Sequence, residues 1–249
     1  MARIGVQGMM LKERFVTDGV FETLRRVSEL GYHSIEMSQV SMAPENVAEM
    51  TRARAELGME FAALSAALET FPGHPGESLT DNFEKIVNDA HELGSSILRI
   101  GMLPFGAMAD KEQLLRFVDI TAGFALRLKD EGLNLVYHNH HVEFSKFDGV
   151  RIIDIIREAA PELRYEVDVH WVHRSGVNPV DYLEECRGTV DLIHLKDYRV
   201  GALPIASLDL LKQGDFQGFM NAFTGIIQFA EVGEGNLDFT AIINKALDT

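Results

Sequence analysis

A single cysteine, Cys186, occurs in 249 residues, so no internal disulfide can form and a reducing compartment such as the cytosol is expected. Basic side chains are scarce as well: 23 Lys and Arg stand against 38 Asp and Glu, a formal charge of −15. Counterion release on nucleic acid needs clustered cations, and an anionic membrane surface repels a chain of this sign. Neither a nucleic-acid nor a membrane partner is therefore expected. No apolar run approaches membrane-spanning length, and the opening MARIGVQGMMLKERF lacks an apolar stretch followed by a small-residue cleavage site. The motifs GxGxxG, GxxxxGK, GxSxG, HExxH and CxxC are all absent. A soluble cytoplasmic protein is therefore expected.

With 46% hydrophobic residues the chain can bury a sizeable core, and its length suits one large α/β barrel or two small domains. A repeated grammar favours the barrel. In SELGYHSIEM, AELGMEFAAL, HELGSSILRI and KDEGLNLVYH an amphipathic stretch ends at Gly31, Gly58, Gly94 or Gly132 and gives way to a short apolar run. Glycine past a helix end adopts the left-handed conformation that stops it, and the runs have the length of buried parallel strands. APELRYEVDVH and RGTVDLIHLK fit the same scheme less strictly, and Arg3–Gln7 supplies an opening strand.

Seven strands result, near residues 3, 34, 60, 96, 134, 165 and 191, each followed by a helix-length segment. Asp18 is placed to cap a helix carrying Val20, Leu24 and Val27; Leu114, Phe117, Phe124 and Leu128 mark a longer one. Pro44 and Pro179 stand where first turns are expected. The alternation predicts a (β/α)8 TIM-barrel type of α/β fold, one domain over residues 1–249, with the eighth βα unit absent from this chain. The stretch 201–236 after the seventh strand exceeds an ordinary connection and is expected to hold short helices, as a lid or subunit contact. Pairing through it as a homodimer or homotetramer is compatible with the sequence.

Barrel chemistry sits at the C-terminal ends of strands. There the chain places His138 with His140, Glu166 with Asp168 and His170, and His194 with Lys196, each set spaced by two so as to share a strand face. Imidazoles with a carboxylate suit Mn²⁺, Co²⁺, Zn²⁺ or Fe²⁺, Mn²⁺ being favoured. Such a metal would polarise a sugar carbonyl, and Lys196 would add charge beside the developing oxyanion. A histidine at a strand end can equally serve only to hydrogen-bond a loop. Trp171 is read as packing in preference to cofactor stacking, and Glu36 as a partner for a base or a substrate ligand. Gly233-Glu234-Gly235 could form a phosphate loop, but its glutamate would repel phosphate, so a turn is expected. His33, His74 and His91 receive no role.

On ELGYHSIEM, LVYHNHHVEF, YEVDVHWVHRSGVNP, LIHLKDY and AEVGEGNLDF the sequence resembles the sugar phosphate isomerase/epimerase group of xylose isomerase-like barrels, which includes inosose dehydratases and endonuclease IV. The resemblance implies a divalent-metal site with His138, Asp168 and His194 as ligands. His138 stands where the group usually has Glu, and the group's eighth-strand Glu has no counterpart. With His138 committed to metal, proton transfer would fall to His140, Glu143 or Lys196; Glu36, Trp171 and Arg199 would contact substrate. The leading expectation is an isomerase or epimerase of a small sugar or keto-sugar working through an enediolate. A dehydratase of a keto-inositol or keto-sugar is the alternative, because histidine at position 138 resembles the inosose dehydratases. A non-catalytic sugar-binding relative with an incomplete site is the third. A nuclease like endonuclease IV is disfavoured by the net charge.

Overall fold

Gly31, Gly58, Gly94 and Gly132 have φ of 92°, 66°, 67° and 76°, so each helix stop expected from sequence is made by a left-handed glycine. A computed structural model describes residues 3–70 and 77–249; His74 lies outside them. The chain divides into two compact units, Met1–Glu166 and Val167–Thr249.

In the first unit β1 (Val6–Gln7) leads to α1 (Val20–Glu29) and β2 (Ser34–Met37), then α2 (Pro44–Leu57) and β3 (Glu60–Ser65). Next come α3 (Leu79–Leu93), β4 (Ile97–Ile100), α4 (Lys111–Asp130), β5 (Asn134–His138) and α5 (Ile152–Ala159). The strand β6 (Arg164–Asp168) closes this unit and opens the next. The second unit continues with a short helix Val169–Arg174, α6 (Pro179–Glu185), β7 (Val190–His194) and α7 (Phe239–Asp248). Strand order in the sheet is β1 to β7 in sequence, and the registered pairs from β1 to β6 are all parallel. Such an order, with a helix after each strand, is that of a (β/α) barrel. No eighth strand joins this sheet among the described residues.

Apolar periodicity explains the packing. Leu114, Phe117, Phe124 and Leu128 of α4 are buried, as their spacing of three, seven and four requires. Pro44 and Pro179 occupy the first turns of α2 and α6. In the second unit Tyr182, Leu183 and Cys186 are buried.

Three sequence expectations need correction. The opening strand is Val6–Gln7 and does not reach back to Arg3, because its parallel partner pairs only at Val6↔Ile35 and Gln7↔Glu36. Asp18 does not cap α1; Gly19 does, at φ 86°, and the Asp18 carboxylate pairs with Arg26 at 2.9 Å instead. His140, His170 and Lys196 are not on strands: β5 ends at His138, β7 ends at His194, and β6 ends at Asp168 and turns directly into a helix. The stretch after β7 does contain short helices, Ser207–Lys212 and Phe216–Thr224, followed by a strand Ile227–Ala230 that pairs antiparallel with Asp197–Val200. No helix among the described residues is long and apolar enough to cross a membrane.

Candidate functional site

Buried charge requires partners, and the first unit supplies them across three strands. Arg99, on β4, is 6% exposed. Its Nε lies 3.2 Å from Glu36 Oε1 on β2 and also donates to Glu166 Oε2 on β6. Its Nη1 donates to Ser65 Oγ at 3.2 Å. The β2–β3 register shifts at Ile35/Glu36, the kind of bulge that re-aims a side chain beside a site. Glu166 Oε2 is 3.1 Å from His138 Nδ1, and the two residues face each other in the β5–β6 register. The imidazole of His138 thus lies against a carboxylate that is itself held by a guanidinium.

Beyond β5 the chain stays ordered around Glu143, which is fully buried. Tyr137 O–H donates to Glu143 Oε1 at 2.6 Å, and the His140 N–H donates to Oε2 at 2.8 Å. Burial pushes the Glu143 carboxyl above the usual carboxylate range, and those two bonds oppose the shift. Glu143 therefore anchors the turn carrying His140, whose ring sits edge-on to His138 with centroids 4.9 Å apart.

In the second unit the end of β6 does two jobs. Asp168 Oδ1 accepts from the Trp171 N–H at 3.0 Å, capping the helix that follows. Burial raises the Asp168 carboxyl to about 6, opposed by that bond and by the charges of Lys196 and His194. His194 ends β7, and Lys196 lies just past it. The Lys196 Nζ rests 4.4 Å above the Trp171 ring and 4.7 Å above the Phe229 ring. Burial pushes its ammonium below the usual lysine range, with Asp168 opposing.

His170 is 1% exposed, and neither ring nitrogen has a hydrogen-bond partner among the described residues. Trp171, Tyr198 and Phe229 surround its ring at centroid distances of 4.8, 5.1 and 5.3 Å. Burial, then Lys196 and Arg174, lower its pKa to about 4, so the imidazole is neutral near pH 7. Arg199 lies on the exposed hairpin, 3.8 Å from Glu231.

Asp197 was legible only as part of a motif, and the structure gives it a distinct job. Its buried carboxylate accepts backbone N–H groups of Tyr198, Gly233, Gly235 and Leu237 at 2.8, 3.1, 2.9 and 3.3 Å. The Gly233–Gly235 segment is a turn, as expected, wrapped around this carboxylate. A Cβ on Gly235 would lie 2.2 Å from Asp197 Oδ1. Gly235→Ala is therefore expected to cost on the order of 2 kcal/mol and lower Tm by several degrees. Gly123→Ala, whose added Cβ meets nothing within 4 Å on helix α4, is the control and should hold or raise Tm. Equal melting of the two variants in a thermal scan would dismiss the wrapped-carboxylate account.

Sequence reading missed Arg99, Tyr198 and Phe229. A charged residue inside the apolar strand ILRI was the available signal for Arg99. Nothing local marks Tyr198 or Phe229, which come together only through hairpin pairing.

Solved structures similar to this chain share its architecture. A sugar phosphate isomerase/epimerase from Parabacteroides distasonis ATCC 8503 is 18% identical, with TM-score 0.67 and coverage of 100% of this chain and 97% of that one. The probable 3-DHS dehydratase AsbF of Bacillus anthracis is 14% identical, with TM-score 0.68 and coverage of 100% and 90%. The 3-keto-D-glucoside 4-epimerase YcjR of E. coli is 14% identical, with TM-score 0.60 and coverage of 100% and 88%. Identities this low speak to fold alone. Among curated proteins none matches the chain. Residues 24–249 match the family described as xylose isomerase-like TIM barrel, nearly the whole length, and the chain belongs to that family.

Proposed function

We propose that this protein is a divalent-metal-dependent isomerase or epimerase of a small sugar or keto-sugar. The observation that carries the reading is the buried Asp168 carboxylate at the end of β6, in the same unit as His194 at the end of β7 and Lys196 just past it. Perturbed carboxyls of this kind mark functional sites. Family membership over residues 24–249 supports the same reading.

Within the second unit Asp168 and His194 would hold the metal. Their donor set of imidazole and carboxylate fits Mn²⁺, Co²⁺, Zn²⁺ or Fe²⁺, with Mn²⁺ favoured. When bound, the metal would supply Lewis acidity to a substrate carbonyl. The chain's own residues do the rest. Lys196 offers its Nζ to the oxygen that gains charge as the α-proton leaves and an enediolate forms. His140 carries the proton, and Glu143 positions the His140 turn through its bond to the backbone N–H. Trp171 presents its ring beside Lys196 for the sugar's apolar face. Glu36 and Glu166 neutralise Arg99 and hold β2, β4 and β6 in register.

Dehydration of a keto-sugar is the second reading, favoured by His138 at the end of β5 and by a fold neighbour described as a probable dehydratase. Both reactions begin by removing a proton α to a carbonyl. Turnover in D₂O with added Mn²⁺ separates them. Epimerisation or isomerisation places solvent deuterium on carbon in the recovered sugar without loss of water, whereas dehydration yields a conjugated product absorbing in the ultraviolet.

His194→Ala is expected to abolish metal retention and exchange together. Losing a Lewis acid worth several kcal/mol corresponds to at least about 100-fold in rate. Metal stoichiometry by elemental analysis and deuterium uptake by mass spectrometry are the measurements, and full exchange in His194→Ala would end the metal reading.

A further inference from the structure

Residues 201–236 have the composition of a core and bury almost nothing. Seventeen of these 36 residues are hydrophobic, as large a share as the 46% of the whole chain, yet none of the seventeen is buried. Helix Phe216–Thr224 has no buried residue at all. Phe216, Phe219 and Phe223 follow one another at spacings of three and four, so their rings line one face, with neighbouring centroids 6.5 and 6.4 Å apart. Phe216 is 64% exposed and Phe223 50%. The antiparallel hairpin after this helix is apolar on one side only. Tyr198 stands opposite Phe229 and Val200 opposite Ile227, so these four share a face, while Arg199 and Gln228 take the other. Phe229 belongs to the ring wall around His170 and is still 66% exposed.

An amphipathic element is held in place by covering its apolar side. The exposed phenylalanine, isoleucine, leucine and valine side chains between Val200 and Val232 open on the order of 800 Å² of apolar surface, above the roughly 300–600 Å² of the largest patch on an ordinary monomer. It is also about the area that each partner buries in a stable protein pair.

Charge decides what covers this face. Residues 216–230 contain no Asp, Glu, Lys or Arg, the longest such run in a chain that is 24% charged. A cationic partner finds no carboxylate there to pair with. An anionic membrane finds none of the basic side chains that draw a surface helix to it, and Lys212, just before the helix, is taken by Asp209 at 2.7 Å. Two copies of a chain at −15 repel each other through charged faces, whereas this one lets them meet without like charges in contact. A two-fold contact also needs a patch that complements itself, which an uncharged stripe of rings and aliphatic side chains does.

We infer that the protein pairs with a second copy of itself as a two-fold homodimer, through the Phe216–Thr224 helix and the apolar side of the Asp197–Val200/Ile227–Ala230 hairpin. The inference makes no use of the isomerase reading and is tested without activity.

Sedimentation equilibrium of the wild type is the first test. A species of twice the chain mass is expected at about 10 μM, since interfaces of this size hold at μM concentrations or below. A monomer even at about 100 μM, tenfold higher, overturns the inference. Binding to neutral phosphatidylcholine vesicles by a protein that is monomeric without them overturns it in favour of lipid. Phe216→Glu/Phe223→Glu then places the contact. Charge set into an apolar interface should weaken dimerisation at least about 100-fold, and both positions are exposed, so the fold should survive. A double variant that folds, by circular dichroism, and dimerises like the wild type overturns the inference. If the variant does not fold, amide hydrogen exchange of the wild type below and above its dissociation concentration decides. Slower exchange within 216–230 in the concentrated sample is expected, and protection confined to other segments overturns the assignment of the face.

Discussion

Asp168→Asn is expected to raise the Tm of the metal-free protein at pH 7.5 and to remove metal binding at the same time. Burial holds the Asp168 carboxyl at about 6 in the folded chain, against 3.8 for the ordinary group. Between those values the native state binds more protons than the unfolded state, so this group's contribution to stability falls as pH rises from about 4 to about 6. Above pH 6 the whole penalty is present. That elevation corresponds to on the order of 3 kcal/mol. Asparagine keeps the oxygen that accepts the Trp171 N–H, so the helix cap survives the change. For a chain of this size the gain is about 5 °C or more.

The pH dependence makes the expectation specific. Near pH 4.5 the wild-type carboxyl is mostly protonated, and the difference between wild type and variant should largely vanish. Added Mn²⁺ should raise the wild-type Tm at pH 7.5 and leave Asp168→Asn unchanged, because a ligand stabilises only the state that binds it. A variant that melts at or below the wild type in metal-free buffer at pH 7.5 would contradict the argument. So would a difference that persists unchanged at pH 4.5. If both outcomes hold, function and stability pull in opposite directions at this position, as they do where a site stores a cost that its ligand offsets.

Arg99→Met is expected to be the most damaging single change in the first unit. The guanidinium is buried between the carboxylates of Glu36 and Glu166, and its removal leaves two negative charges in the interior without their cation. Breaking a buried pair from one side costs about 3–5 kcal/mol, a fall in Tm of roughly 10 °C. The methionine itself is tolerable by volume; the stranded charges are what destabilise. Combining Arg99→Met with Glu36→Gln and Glu166→Gln should therefore recover most of the loss, which a urea series on the single and triple variants would measure. If the triple variant is no more stable than the single, the damage comes from packing and not from uncompensated charge.

Much of the architecture was legible because it is local. A left-handed glycine acts on the helix it ends, and the helix spacing of Leu114, Phe117, Phe124 and Leu128 needs no knowledge of what α4 packs against. Pro44 and Pro179 likewise announce first turns by their own missing N–H groups. The errors arose where a local signal had a competitor. Asp18 has the chemistry of a cap, but Gly19 took the position and the carboxylate went to Arg26. Alternation put His170 on a strand, yet Asp168 caps a helix two residues earlier, so the period changes there from two to 3.6.

By itself the sequence determined the strand–helix alternation and the parallel sheet on which His138, Asp168 and His194 stand, since these follow from spacings of two to four residues and from glycine. Only tertiary structure decided what those residues touch. Arg99 meets Glu166 across 67 positions, and Asp197 meets Gly235 across 38. Which of several acidic residues a buried cation selects depends on strand register, and which carboxylate fills a glycine turn depends on how a hairpin closes. Both are set by packing between segments distant in the chain, where no residue's own neighbours carry the information.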